Sequence, residues 1–452
     1  MNLKAVISAV TATAMLVSAG GWKKADTALG ANDNTMRDMT TMDIIEDMGI
    51  GINLGNTFES SGQWIDDWGD GTPNAYETAW GSPTVTKELI QGYANEGFGV
   101  VRVPVAWSNM MSDDGNYTIH PDYIARVKEV IGWALDADLY VIMNLHWDGG
   151  WLEEIPTNYD ECMKKYSAIW TQLSDEFRDY GDYLMFESQN EELGWSSVWN
   201  QWGGTTGKDV SYGYVNAINQ EFVDIVRSSG GNNEKRHLLI SGYNTDITLT
   251  CDSLFKMPDD PAGRCAVSVH YYTPAGFAIL TEDASWGKAT STWGTDAEYA
   301  ELNGNMDKLV SRFTSKGVPV IIGEYGCPKE NKEEASVRRF ISAVAEASMS
   351  RGGICPVLWD VTDLHYSRKN YRMTDSELQK ELIRIRDAYA PASVEGDING
   401  DGNFLISDVA VLQMWLLNPS STTLKQPEMA DADNDGRVDI FDLCLLKNRL
   451  IS

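Results

Sequence analysis

Eight short apolar runs, separated by stretches of helical periodicity, fill the middle of this 452-residue chain and leave it few ways to fold. They are Gly49 to Leu54, Val100 to Val105, Tyr140 to Leu145, Tyr183 to Phe186, His237 to Ser241, Ala266 to Tyr272, Val318 to Gly323 and Cys355 to Trp359. Between them apolar residues recur three or four positions apart, as in Ile124, Val127, Ile131 and Leu135, in Val215, Ile218, Phe222 and Ile225, and in Val337, Phe340 and Val344. A last stripe of Leu378, Leu382, Ile385 and Tyr389 closes the eighth repeat. Such stripes put one face of each helix on a core, and the alternation is that of a parallel sheet wrapped by helices. Eight units over about 350 residues predict an α/β fold, a (β/α)8 TIM barrel with enlarged loops, whose chemistry belongs at the C-terminal ends of its strands.

Outside the barrel the character changes. Lys4, an apolar stretch from Ala5 to Val17 and the small residues after it have the form of a signal peptide, with Val17 and Ala19 suited to cleavage. The apolar part is too short to span a bilayer. At the other end, Ala390-Pro391-Ala392-Ser393 reads as a linker, followed by two near-duplicate Asp-rich loops that each lead into an apolar helix. The expected organisation is a secreted chain with a signal peptide over 1–19, a spacer over 20–37, the barrel over 38–390, a linker over 391–395 and a small all-α module over 396–452.

The net charge of −30 argues against nucleic acid or an anionic membrane as partner. Sixteen Trp and 19 Tyr favour a ligand with flat apolar faces, as sugar rings have. The six cysteines are scattered, so no zinc spacing or disulfide framework is indicated. Only Cys251 and Cys265 bracket a short loop, and a bond is expected there if anywhere.

The strand ends are polar nearly throughout. The second carries Arg102, the third Asn144, His146 and Trp147, the fourth Asn190, Glu191 and Glu192, the sixth His270 and Tyr272, the seventh Glu324 and Tyr325, the eighth Trp359 and Asp360. Strands four and seven face each other across a barrel, so Glu191 and Glu324 are expected to converge over its mouth. Two carboxyl groups flanking one linkage are what glycosidic cleavage needs, and in a retaining enzyme they stand about 5–5.5 Å apart. Arg102 and Tyr272 are expected to keep Glu324 ionised and suited to attack. Apolar surroundings and the charge on Glu324 are expected to raise the Glu191 pKa, which suits a general acid that later acts as base. Asn190 is placed to bond the sugar 2-hydroxyl.

The motifs GINLGNTFES (51–60), VVRVPVAW (100–107), MNLHWDGGW (143–151), FESQNEE (186–192), VHYYTP (269–274), IIGEYG (321–326) and VLWD (357–360) resemble glycoside hydrolase family 5 over roughly residues 38–390. The resemblance implies a retaining β-glycanase with Glu191 as acid/base and Glu324 as nucleophile, supported by Arg102, His146, Asn190, His270, Tyr272 and Trp359, and no cofactor for catalysis. GINLGNT, ETAWGSP (77–83) and HYYTP are most similar to bacterial endo-β-1,4-glucanases, which implies a cellulose or related β-glucan substrate. Many members have Pro after the acid/base; here Glu192 follows, and an extra carboxylate is expected to raise the acid's pKa further. Trp64, Trp68, Trp80, Trp147, Trp151, Trp195, Trp199 and Trp202 lie in loops after strands one, three and four, where some are expected to stack on sugars and others to pin loops.

DINGDGNFLISD (397–408) and DADNDGRVDIFD (431–442) match EF-hand spacing, with Gly402 and Gly436 at the turn. The side-chain ligands would be Asp397, Asn399, Asp401 and Asp408 in the first loop and Asp431, Asp433, Asp435, Asp439 and Asp442 in the second. All are oxygen donors, which favours Ca2+. Leu405 at the ninth position of the first loop makes that site the weaker one. Asp at position 12, the missing entering helix and the duplication resemble a dockerin, the module that ties enzymes to a cohesin domain of a scaffolding protein. Ile406, Ser407, Ile440 and Phe441 are the expected contacts.

Three alternatives stand beside the endoglucanase. One is the same mechanism acting on xyloglucan, mannan or xylan. Another is a metal-dependent barrel hydrolase built on His146, His270 and the glutamates, against which the first strand, GINLGNT, carries no histidine pair. The third is a non-catalytic carbohydrate-binding component, in which the glutamates would be dispensable.

Overall fold

The computed structural model describes residues 34–451 apart from 194–197, 392–393, 401 and 421, so the expected signal peptide and most of the expected spacer lie outside the described residues. Eight parallel strands, β1 (Gly51–Asn53), β2 (Val100–Val103), β3 (Tyr140–Asn144), β4 (Leu184–Glu187), β5 (Leu238–Asp246), β6 (Cys265–Tyr271), β7 (Val320–Tyr325) and β8 (Ile354–Leu358), pair in chain order. They close into a barrel through β1 and β8. Each falls on one of the apolar runs, and the expected (β/α)8 fold is observed. β5 alone runs well past its run, through two left-handed residues, Asn244 and Thr245, before reaching the short helix Ile247–Thr250.

Period-two alternation sorts every strand between two cores. Val101 and Val103, Val141 and Met143, and Val320 and Ile322 point outward into the layer shared with the helices. Val100, Tyr140, Ile142, Met185, Ile321 and Val357 point inward. The inward set is sealed from below by the helix Thr41–Met48, whose Ile44, Ile45 and Met48 are buried in the barrel's closed end. Thr40 and Asp43 close a capping box at its start. Gly51 is needed where β1 meets its neighbours, because a Cβ there would stand 2.6 Å from the Val100 side chain. Among the outer helices, Pro121–Asp136 buries Ile124, Val127, Ile131 and Leu135, as its stripe requires. Tyr389 differs: at the end of the helix Ser376–Tyr389 it is exposed.

The expected Cys251–Cys265 bond is absent, and all six cysteines are free. Cys265 opens β6 with its thiol donating to Asp260 at 3.3 Å, and Cys251 ends the short helix after β5.

The C-terminal module has its own small core of Ile398, Val409, Leu412, Leu424, Leu443 and Leu446, built largely from the helices Ile406–Leu417 and Ile440–Ile451. Replacing Ile44 by Ala empties part of the barrel plug and is expected to lower the unfolding free energy by about 2–5 kcal/mol, measured by chemical denaturation.

Candidate active site

The alternation that fills the lower barrel with aliphatic side chains reaches, one layer higher, Asn53, Arg102, Glu187 and Ser268. Arg102 is fully buried there. Its Nε donates to Glu187 at 2.7 Å, Nη1 to Glu324 at 2.8 Å and Asn53 at 3.1 Å, and Nη2 to Asn190 at 2.9 Å. Ser268 donates to the other oxygen of Glu187 at 2.6 Å. Asn53 in turn donates to the carbonyl of Gly323 at 2.9 Å. A charge taken out of water must be met by partners of this kind.

Above this layer the strands carry register shifts, between Val269 and His270 on β6 and between Ile322 and Tyr325 on β7. Bulges re-aim side chains, and here they sit where His270 and Glu324 meet. Tyr272 donates to Glu324 Oε2 at 3.0 Å, and His270 Nδ1 lies 2.6 Å from Glu191 Oε1 and 3.6 Å from Glu324 Oε2. One oxygen each of Glu191 and Glu324 and a nitrogen of His270 lie within 4.8 Å of one another. Gly323 makes room beneath, since a Cβ would come 3.2 Å from His270 Nε2.

These groups floor a cleft of about 730 Å³ lined by His146, Trp147, Asn190, Glu191, Glu324 and Trp359, among others. The His146 ring lies parallel to Trp359 at 6.1 Å, and its Nδ1 is 3.1 Å from Asn144 Nδ2. The eight residues expected at the site are thus brought together. Three more were not foreseen: Glu187 and Asn53, which hold Arg102, and Glu59, which lines the cleft from the loop after β1. Glu187 had a signal in the inward period of FES after Met185. Glu59 had none, for it is placed by accepting from its own loop's amides at Asn56 and Thr57.

The tryptophans divide. Trp80 and Trp147 line the cleft, Trp199 is buried and bonded to the carbonyl of Gly204, and Trp151 donates to Asp148. Trp64, Trp68 and Trp202 are exposed elsewhere, and Trp195 lies outside the described residues.

A family model described as Cellulase (glycosyl hydrolase family 5) matches residues 59–364. The chain belongs to glycosyl hydrolase family 5. This glycoside hydrolase is 32% identical to Endoglucanase B of Clostridium cellulovorans over 398 residues, covering 85% of each chain. It is 38% identical to a xyloglucan-specific endo-beta-1,4-glucanase of Bacteroides ovatus over 306 residues, 66% of this chain and 59% of that protein. A solved broad specificity endoglucanase from an uncultured bovine rumen ciliate superposes with a TM-score of 0.68 at 33% identity, over 77% of this chain and 98% of that one. The C-terminal module matches the type I dockerin domain over residues 395–451.

Electrostatics in the family 5 cleft depart from expectation at two points. Burial pushes the Glu191 carboxyl up, but the His270 hydrogen bond, its charge and that of Arg102 outweigh it and leave the pKa below the usual carboxylate range. Glu192 is itself pushed up to about 8 by burial and by the charges of Asp148, Glu153 and Glu191. It is therefore mostly protonated at neutral pH and adds little negative charge beside Glu191. His146 is held well below its ordinary value by burial and by the charges of Arg102 and His270, so it is a neutral imidazole.

In the dockerin the two loops are built alike. Asp408 accepts from the amides of Ile398 and Asn399 at 2.9 and 3.0 Å, and Asp442 from Ala432 and Asp433 at 2.8 and 3.3 Å. Gly402 and Gly436, at φ 79° and 81°, each donate to the first Asp of their loop. Oxygens of Asp431, Asp433 and Asp435 lie within 4.8 Å of one another, a hard-donor set that fits a calcium ion. Asp401 lies outside the described residues.

Replacing His270 by Ala removes the largest influence that lowers Glu191, so the Glu191 carboxyl is expected to titrate at higher pH. Carbon-13 NMR titration of the side-chain carboxyl checks this; an unchanged or lower midpoint contradicts it.

Proposed function

We propose that the chain is a secreted, retaining endo-β-1,4-glucanase, acting on cellulose or related β-glucan and held on a cohesin-bearing scaffold through its calcium-loaded dockerin. The observation that carries the reading is that one carboxylate oxygen of Glu191 lies within 4.8 Å of one of Glu324 at the cleft floor. That spacing suits direct attack on a sugar and leaves little room for the water an inverting enzyme places between its carboxylates.

Glu324 is the nucleophile. Arg102 and Tyr272 donate to its two oxygens, one each, and so hold a carboxylate in a fixed orientation. Glu191, whose side chain is 42% exposed to the cleft, is the acid/base. A sugar covering that exposed part removes water and raises its pKa, which lets it hold the proton it gives to the leaving oxygen. Attack by Glu324 on the anomeric carbon forms a glycosyl ester and discharges Glu324. With that charge gone Glu191 becomes the stronger acid, stays ionised and takes a proton from the water that frees the sugar. Asn190, its Oδ1 bonded to Arg102, presents its amide to the sugar 2-hydroxyl. Trp80, Trp147 and Trp359 line a cleft open to a long chain.

A metal-dependent reading fits less well. The Glu191–His270–Glu324 cluster already has Arg102 at 2.8 Å from Glu324, and a divalent ion would have to sit beside that fixed positive charge.

Three measurements test the catalytic part of the proposal. Glu191→Gln is expected to lower kcat on barley β-glucan by about 10²–10⁴-fold, and Glu324→Gln to remove it altogether. Proton NMR of fresh products is expected to show the β-anomer; a predominance of α overturns the retaining mechanism. Assays on cellulose, mixed-linkage glucan, xyloglucan, mannan and xylan rank the substrate, with β-1,4-glucans expected first.

Chelation by EDTA is expected to abolish cohesin binding and to cost helical signal from the dockerin in circular dichroism while hydrolysis persists. Retained cohesin binding in EDTA contradicts the calcium assignment.

A further inference from the structure

The end of the barrel remote from the cleft is covered in part by the dockerin. Tyr140, first residue of β3, and Tyr183, just before β4, stack with ring centroids 4.3 Å apart. Arg37 lies over the pair, 4.6 Å from the Tyr183 ring, and donates from Nε to Asp182 at 2.8 Å. Its Nη1 reaches the carbonyl of Gly400 in the first Asp-rich loop at 3.4 Å. From the dockerin side, the Lys425 ammonium lies 4.8 Å from the same Tyr183 ring, 3.4 Å from its hydroxyl and 3.3 Å from Asp138.

Lys425 is tied to the loop. Its amide and that of Gln426 donate to the carbonyl of Ile398 at 2.9 and 3.1 Å, and Ile398 lies between the candidate ligands Asp397 and Asn399. A cavity of about 520 Å³ remains at the seam, with Asp43, Glu46 and Asp47 of the plug helix on one side and Asp397, Gly400 and Gly402 on the other. Four carboxylates line it against Arg386, with Arg37 3.9 Å from Asp47, so acidic charge is in excess and some repulsion remains across it. A cation bound in the loop reduces that repulsion and fixes the backbone that carries Lys425.

We propose that the first dockerin loop, when loaded with calcium, docks on the closed end of the barrel through Gly400 and Lys425, so that calcium binding and seating of the module are one coupled equilibrium. This rests on the calcium reading of the loops. Seating leaves Ile406, Ile440 and Phe441 outside the seam, each more than half exposed. A cohesin partner then binds without undocking the module, and the cleft opens at the other end of the barrel.

Coupling is reciprocal, so breaking the seam must weaken calcium at the first loop and spare the second. The experiment is calorimetric titration of calcium chloride into the full chain, with Lys425→Glu, Asp138→Lys and the double exchange. Lys425→Glu is expected to weaken one of two calcium sites by at least about fivefold, and the double exchange to recover most of the loss.

Hydrogen exchange is expected to show the amides of residues 137–140 and 181–184 better protected in calcium than in EDTA, and the Lys425→Glu protein to lose that difference. Two calcium sites indifferent to Lys425→Glu, or seam amides indifferent to calcium, overturn the docking alone. No calcium binding by the natural chain overturns the loop reading with it.

Discussion

Everything at the cleft depends on one guanidinium inside the barrel. Arg102 is stripped of water and meets four acceptors on β1, on β7 and on β4 and its loop, so its position and theirs are fixed together. Two of those acceptors are carboxylates. Glu187 is fully buried and answers the charge structurally, which leaves Glu324 at the cleft floor, held by Arg102 on one oxygen and by Tyr272 on the other. Such a network is rigid because no member moves without leaving a buried polar group unpaired.

The same burial that makes Arg102 effective governs the acids around it. Glu59 is pushed up to about 7, Asp360 to about 7 and Asp148 to about 6, each chiefly by loss of water. Arg368 beside Glu59 and Asp360, and Lys165 beside Asp148, pull the other way and are outweighed by burial, so that with Glu192 these carboxyls all titrate above the usual range. Glu191 is the exception, because His270 lies within hydrogen-bonding distance of it. The contrast between Glu191 and Glu192, adjacent in the chain and opposite in behaviour, comes from which one has an imidazole beside it.

The two ends of the barrel are used differently. Polar residues and bulges gather at the C-terminal ends of the strands, where loops tolerate them. The opposite end is filled by the plug helix and overlaid by Arg37 and Lys425. The residues before position 38, read as spacer, include an arginine that bridges barrel and dockerin, and no pattern in the sequence announced it.

The sequence by itself determined the barrel, because apolar runs at period two and stripes at period 3.6 admit few other closed packings. It determined equally which residues stand at the strand ends and that two loops are built of oxygen donors at calcium spacing. It could not determine the Glu191 protonation balance, the absence of a Cys251–Cys265 bond, or the roles of Asn53, Glu187 and Glu59 around the cleft. Those rest on distances between residues far apart in the chain, such as the 2.6 Å from His270 to Glu191. Local pattern specifies which face a side chain occupies; only the closed sheet, with its bulges at His270 and Glu324, decides which faces meet, and electrostatic energies follow that separation.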